Sequence, residues 1–205
     1  MAAIAALLVT ALGILYAAGG GLGPWDNHAM PLTGFTPPWR TFALIVDFLG
    51  EPVGVLLIVA ATVTAALLLH HPRAAVLVVL AVGLGGTITT LLKPVVDRHI
   101  HGDWLAYPSG HTATLTTFGF VTGLLIADRL HLTPRRATLT ILTLATLTGA
   151  AMSYSQTMLS AHYLTDTIGG YLVALTVVPV TALLIDHLAN RINATRQDHA
   201  VSREK

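Results

Sequence analysis

The sequence predicts an all-α membrane protein: a six transmembrane helix bundle over residues 1–188, a polar tail over 189–205, and a polar site at the outer, non-cytoplasmic face. Three observations predict it. The chain is 54% hydrophobic and only 10% charged, where a soluble domain usually carries about 25% charged residues, so it cannot cover itself in water. Six stretches approach the ~20 mostly apolar residues that a hydrocarbon core requires of a helix. The basic residues gather in alternate loops, as they do when one set of loops faces the cytoplasm.

In order, the stretches are Ala2–Leu22, Glu51–Leu69, Ala74–Leu92, His111–Ala127, Ala137–Met152 and Tyr163–Leu188. The first has no Lys or Arg ahead of its apolar run, unlike a cleaved signal peptide, and reads as a retained span. Phe42–Gly50 reads as a short lead-in helix to the second. Asp47 and Glu51 sit one turn apart there and read as an interfacial polar face, since neither has a partner at chemical spacing. The fifth stretch is short and Thr-rich, which suits a span buried among its neighbours, with hydroxyls bonded back to the helix backbone.

Arg73, then Arg129, Arg135 and Arg136, then Arg191, Arg196, Arg203 and Lys205 make eight of the eleven basic residues, all on one side. The positive-inside rule puts that side, and both chain ends, in the cytoplasm of a plasma-membrane protein. The tail from Asn190 is expected to be disordered beyond its helix end. The outer side keeps only Arg40, Lys93 and Arg98, in loops Gly23–Thr41, Lys93–Gly110 and Ser153–His162. The first loop is rich in Pro and aromatic residues, as a segment at the lipid headgroups would be. The absence of cysteine excludes disulfides, thiol chemistry and thiolate metal sites. Basic residues are too few and too scattered for nucleic acid, and nothing implies a protein partner.

The outer ends of spans three, four and six carry the chemistry. Lys93 and Arg98, five positions apart, are natural ligands for a phosphate, Arg as a fork and Lys as a point charge. Alone, either could equally snorkel to lipid headgroups. In Tyr107-Pro108-Ser109-Gly110-His111-Thr112, Pro108 and Gly110 are turn residues and Ser109 can cap the following helix. The N–H groups around Gly110 and His111 then form an anion cradle, with an imidazole at the same helix start. His162 and Asp166 are four apart on one helix face. A carboxylate one turn below an imidazole can accept the Nδ1–H and leave the Nε2 lone pair exposed for nucleophilic attack. His99, His101 and Asp103 alternate in a pattern that could hold zinc if the loop were extended. Without further ligands they read as solvated loop residues. As a proton relay with His162 and Asp166 they would suit a transporter, but ionisable residues at helix ends rather than mid-membrane favour an enzyme.

These residues resemble the three-part signature of the type 2 phosphatidic acid phosphatase family, the membrane lipid-phosphate phosphatases. Pro108-Ser109-Gly110-His111 matches the second part. The stretch Ser155-Gln156-Thr157-Met158-Leu159-Ser160-Ala161-His162-Tyr163-Leu164-Thr165-Asp166 is similar to the third, and Lys93 with Arg98 to the first. The resemblance covers roughly Phe48 to Leu188, with order, spacing and membrane side agreeing. It implies that His162 attacks phosphorus to form a phosphohistidine, that Asp166 orients it, and that His111 protonates the leaving oxygen and later activates water. It implies that Lys93, Arg98, Ser109 and the Gly110 N–H hold the phosphoryl oxygens, without a metal or other cofactor. The implied substrate is a lipid phosphate or diphosphate drawn from among the membrane lipids. A polyprenyl diphosphate comes first, phosphatidic acid or phosphatidylglycerol phosphate next. Two departures remove a cation each: Gln156 stands where the family has Arg, and Ile100-His101 where it has Arg-Pro. Losing one preorganised donor can cost about 10²–10³ in rate. Gln156 still offers two neutral hydrogen bonds, so a divergent phosphatase is expected, with a lapsed lipid-phosphate binder as the alternative.

Overall fold

A computed structural model describes residues 1–17, 23–29 and 36–203. The end of the expected first span (18–22), part of the first outer loop (30–35) and the last two residues lie outside the described residues. Among the described residues eight helices follow one another: α1 Ala2–Tyr16, α2 Pro24–Ala29, α3 Pro37–Phe48, α4 Pro52–Leu68, α5 Pro72–Val96, α6 Gly110–Arg129, α7 Pro134–Met158 and α8 Leu164–Arg203. A two-stranded hairpin, β1 His99–Ile100 and β2 Trp104–Leu105, stands between α5 and α6 and pairs His99 with Leu105 and Ile100 with Trp104. The sequence reading did not anticipate it.

Proline opens α3, α4, α5 and α7, where its missing N–H is an orphan in any case. Three helices end alike. His70, His131 and Ser160 adopt the left-handed conformation after α4, α6 and α7. The next residues, His71, Leu132 and Ala161, donate back to Ala66, Ala127 and Gln156, closing the last turn as a Schellman motif does.

α6 is the axis of the bundle, packed on α4, α5, α7 and α8. Most of it is buried, including ten successive residues from Thr112 to Val121. Its approach to α7 is close because Gly119 and Gly123, four apart, face the α7 backbone. A Cβ at either would press on Leu144 or Ile141. Small residues at this spacing let membrane helices meet backbone to backbone. α1 and α2 pack on α8, and α3 on α7.

Among the described residues, three helices are long and apolar enough to cross a membrane: Pro72–Val96, Pro134–Met158 and Leu164–Thr195. A fourth span results if α3 and α4, bent 68° to each other, are counted as one. This is an α-helical integral membrane protein. Compared with the six expected stretches, α1 reaches only 15 residues within the described part, α6 is Thr-rich, and α7, expected to be buried among its neighbours, is instead the least buried of the three long spans. Three boundaries differ. α5 carries Lys93 and Pro94 inside its last turn. α7 runs to Met158, so Ser155 and Gln156 are helical rather than part of a loop. The expected disordered tail from Asn190 is instead helix to Arg203, consistent with a run of helix-tolerant residues free of Gly and Pro.

Candidate active site

The C-terminal ends of α5 and α7, the N-terminal ends of α6 and α8, and the α3–α4 bend all meet at one end of the bundle. The opposite end holds the Arg73–Asp186 ion pair at 2.9 Å and a His71–Asp128 contact at 3.0 Å. A cavity of about 450 Å³ lies there too. Its charged groups are already paired with each other, so the first end is the candidate site.

The loop into α6 is held from two sides. Ser109 caps α6 as expected, its Oγ accepting from the Thr112 N–H at 3.4 Å and the Thr112 hydroxyl at 3.2 Å. Its own N–H donates to the Asp166 carbonyl at 3.0 Å. Gly169 and Gly170 on α8 make this contact fit, because a Cβ there would strike the Tyr107 ring and the Ser109 carbonyl. Tyr107, buried beneath, donates its hydroxyl to the Val9 carbonyl at 2.7 Å. Burial, and then the Asp166 charge, push its phenol well above the usual tyrosine range. Gly110 leaves room for Thr89, whose Oγ1 would lie 3.3 Å from a Cβ there.

His111 opens towards the α3–α4 bend. Its Nε2 is 3.6 Å from Glu51 Oε1 and 3.9 Å from Asp47 Oδ1, and its ring fills the space left by the missing side chain of Gly50. Gln156 donates its side-chain amide to the same Asp47 carboxylate. The reading of Asp47 and Glu51 as a mere interfacial face is therefore corrected: the bend brings both carboxylates, Asp47 half-buried and Glu51 exposed, beside a residue 60 or more positions away in sequence. Their ligand atoms and that of His111 lie within 4.8 Å of one another, the one set among the described residues with donors grouped as a metal ion would need.

His162 is placed by the end of α7. Ser160 turns the chain, and the N–H groups of Ala161 and His162 both donate to the Gln156 carbonyl, at 2.9 and 3.3 Å. Gln156 thus touches both halves of the site, by its backbone towards His162 and by its side chain towards the Asp47–His111 group. His162 precedes α8 and Asp166 lies in its first turn, where Asp166 Oδ2 accepts from the Tyr163 N–H at 2.9 Å. This is the reciprocal half of a capping box. The expected His162–Asp166 pair is adjacent, Nδ1 to Oδ2 at 3.8 Å, which is longer than a hydrogen bond. His162 Nδ1 is buried without a hydrogen-bond partner among the described residues.

Lys93, His101 and His162 line one cavity of about 320 Å³ together with Ile100, Trp104, Leu105 and Ala161. Arg98 does not open onto it. Asp97 ends α5 in the left-handed conformation, and Arg98 turns inward to complete burial. Its Nη1 donates to Asp166 Oδ1 and to Thr165 Oγ1, each at 2.6 Å, and its Nη2 to Asp26 Oδ2 at 2.6 Å. Its guanidinium also lies over the Tyr16 ring at 3.9 Å and beside Tyr163 at 4.6 Å. The fork expected for a phosphate is occupied by two carboxylates. His99 and His101 diverge: His99 turns to the Asp97 carbonyl at 3.1 Å and His101 to the Ser160 carbonyl at 2.7 Å. They form no common site with Asp103 among the described residues.

Sequence reasoning missed Asp26 and Thr165, although a signal existed. Asp26 is the single carboxylate ahead of Asp47 in an apolar stretch, and an ionisable residue in such company is a functional candidate by default.

The profile of the PAP2 superfamily matches residues 74–188. In fold, the chain is similar to the crystal structure of the first transmembrane PAP2 type phosphatidylglycerolphosphate phosphatase from Bacillus subtilis. The TM-score is 0.70, with 15% identity over 93% of this chain and 96% of that one. No curated protein sequence matches.

Proposed function

The chain belongs to the PAP2 superfamily, and from that premise we propose that it is a membrane phosphatase that removes a phosphoryl group from a lipid phosphate or diphosphate. One observation carries the reading. Two imidazoles from separate helix starts, His111 and His162, come to the same end of the bundle and are tied to each other through Gln156 and through the Ser109–Asp166 bond. Lys93 lines the cavity on which His162 opens.

His162 Nε2 attacks phosphorus, the P–O bond to the lipid breaks, and the departing oxygen takes a proton from His111. The phosphohistidine is then attacked by water, whose proton returns to His111, restoring both imidazoles. Lys93, the Gly110 N–H and the first-turn amides of α6 hold the phosphoryl oxygens. Asp166 faces Nδ1 of His162 and keeps the other nitrogen free to react. The proposal keeps six spans on the strength of the apolar stretches, and an outward-facing site with cytoplasmic ends in the plasma membrane on the strength of the distribution of basic residues. An outward site suits recycling of a polyprenyl diphosphate carrier, with phosphatidic acid and phosphatidylglycerol phosphate as the next substrates.

The second reading, a lipid-phosphate binder without turnover, is favoured by one observation. Gln156, which stands where the family has Arg, is engaged with Asp47, and Arg98 is engaged with Asp26 and Asp166. Purified protein incubated with a polyprenyl diphosphate in EDTA separates the two. Phosphate released by wild type and not by His162→Ala supports the enzyme. Retained lipid binding with no release from either supports the binder.

A further inference from the structure

Asp26 is fully buried, yet it accepts from four donors on three segments of chain. Its Oδ2 takes the Gly23 N–H at 3.1 Å and Arg98 Nη2 at 2.6 Å. Its Oδ1 takes the Thr165 N–H at 3.0 Å, and the Thr165 hydroxyl reaches both oxygens at 2.9 and 3.0 Å. A carboxylate is withdrawn from water at this cost only where it is fully paired. Its position has a chemical consequence one step further on. Arg98 has two nitrogen ends, and a free guanidinium prefers to meet a carboxylate with both. Asp26 occupies one end, so Arg98 reaches Asp166 with Nη1 alone and takes only Oδ1. Asp166 Oδ2 keeps the Tyr163 N–H at 2.9 Å and stands 3.8 Å from His162 Nδ1, which has no nearer partner among the described residues.

We propose that Asp26 is a positioning residue. Through Arg98 it keeps Asp166 from forming a two-pronged pair, and so keeps one Asp166 oxygen available to the Nδ1–H of His162. Without the Asp26 charge, Arg98 rotates to take both oxygens of Asp166. His162 Nδ1 then loses the carboxylate oxygen it faces at 3.8 Å, and Nε2 carries the proton for part of the time. The inference rests on the phosphatase reading for its kinetic consequence only; the tautomer of His162 can be read without turnover.

The test uses full-length protein with 15N-labelled histidine in detergent micelles, at a pH where imidazoles are neutral. The His162 signal is assigned by its loss in His162→Ala. Wild type is expected to show His162 protonated at Nδ1, and Asp26→Asn to show a mixture of the two tautomers, with the signals of the distant His71 and His187 unchanged. Asp26→Glu is expected to recover part of the wild-type ratio. With a lipid diphosphate, Asp26→Asn is expected to lower kcat about tenfold or more and leave KM within about twofold, since the nucleophile and not the phosphate contacts is disturbed. If Asp26→Asn fails to fold, Thr165→Val loosens the same link without removing a charge and is expected to move the tautomer ratio in the same direction. An unchanged His162 tautomer ratio in a folded variant overturns the inference. Absence of phosphate release from wild type would instead count against the phosphatase reading, with the tautomer result still deciding the role of Asp26.

Discussion

Gln156 on α7 donates its side-chain amide to Asp47 on α3, which in turn faces the His111 imidazole on α6. The residue that resembles a phosphate-binding arginine position is thus spent on a carboxylate of the same chain. An arginine introduced at 156 would be met by Asp47 before any substrate, so Gln156→Arg alone is expected to change KM less than about twofold. Asp47→Asn together with Gln156→Arg releases the cation and is expected to lower KM about tenfold, more than the two single changes combined. Residues in direct contact commonly deviate from additivity in this way. Steady-state phosphate release from the four proteins of this cycle checks it.

Arg98 is the second cation turned inward. It is enclosed by Asp26, Asp166, Thr165 and two tyrosine rings, with both carboxylates fully buried. Removing one partner of a buried charge group usually costs about 3–5 kcal/mol, because the other charges remain without compensation. Arg98→Met is therefore expected to be destabilised by about that amount, and Arg98→Lys by less, with one of the two carboxylates still served. Unfolding in mixed micelles titrated with a denaturing detergent measures the difference.

The contact between α8 and the loop ahead of α6 depends on two glycines. A methyl group at Gly170 would strike the Ser109 carbonyl, which is backbone and cannot rotate away. Overpacking of this kind typically costs about 1–3 kcal/mol. Gly170→Ala is expected to lose that stability and also most activity, since moving the loop moves His111 with respect to His162. A Gly85→Ala control on α5, where a Cβ meets nothing, is expected to keep both. Thermal melting and phosphate release on the two proteins decide it.

How much of this was legible in the sequence follows from the range over which each signal acts. Ser109 as a helix cap, His162 beside Asp166, and Lys93 at a helix end are local patterns, and the structure keeps them as patterns. The apolar stretches that became the three long membrane helices, or four spans with the bent α3–α4 pair, were legible for the same reason, as hydropathy needs only consecutive residues. Helix ends were less so, because the turn at Ser160 that stops α7 is set by backbone conformation in a residue with no strong preference for it. The partners of Asp47, Glu51 and Arg98 were not legible at all. They come from helices 60 to 109 positions away, and nothing in the spacing of residues 47 and 51 announces the 68° bend that brings them beside His111. Arg98 was misjudged because a cation near a helix end offers itself equally to a substrate and to a neighbouring carboxylate. Only the fold brings Asp26 close enough to choose.

Tyr107 supplies a prediction in pH. Its hydroxyl donates to the Val9 carbonyl, tying α1 to the loop that carries Ser109, and burial holds the phenol protonated well above its ordinary value of about 10. The sign follows from proton binding. Between about pH 10 and the higher folded value, the folded chain keeps a proton that the unfolded chain gives up, so stability falls as pH rises through that window. Tyr107→Phe lacks both the hydrogen bond and the titration. At neutral pH it is expected to be less stable than wild type by about 1 kcal/mol, the usual net worth of such a bond. Above about pH 10 wild type loses stability that the variant does not, and the gap between their melting temperatures is expected to narrow. A gap that stays constant from pH 7 to pH 11 would mean that Tyr107 ionises as freely in the folded protein as in water, and that its bond to Val9 does not hold α1 against the loop.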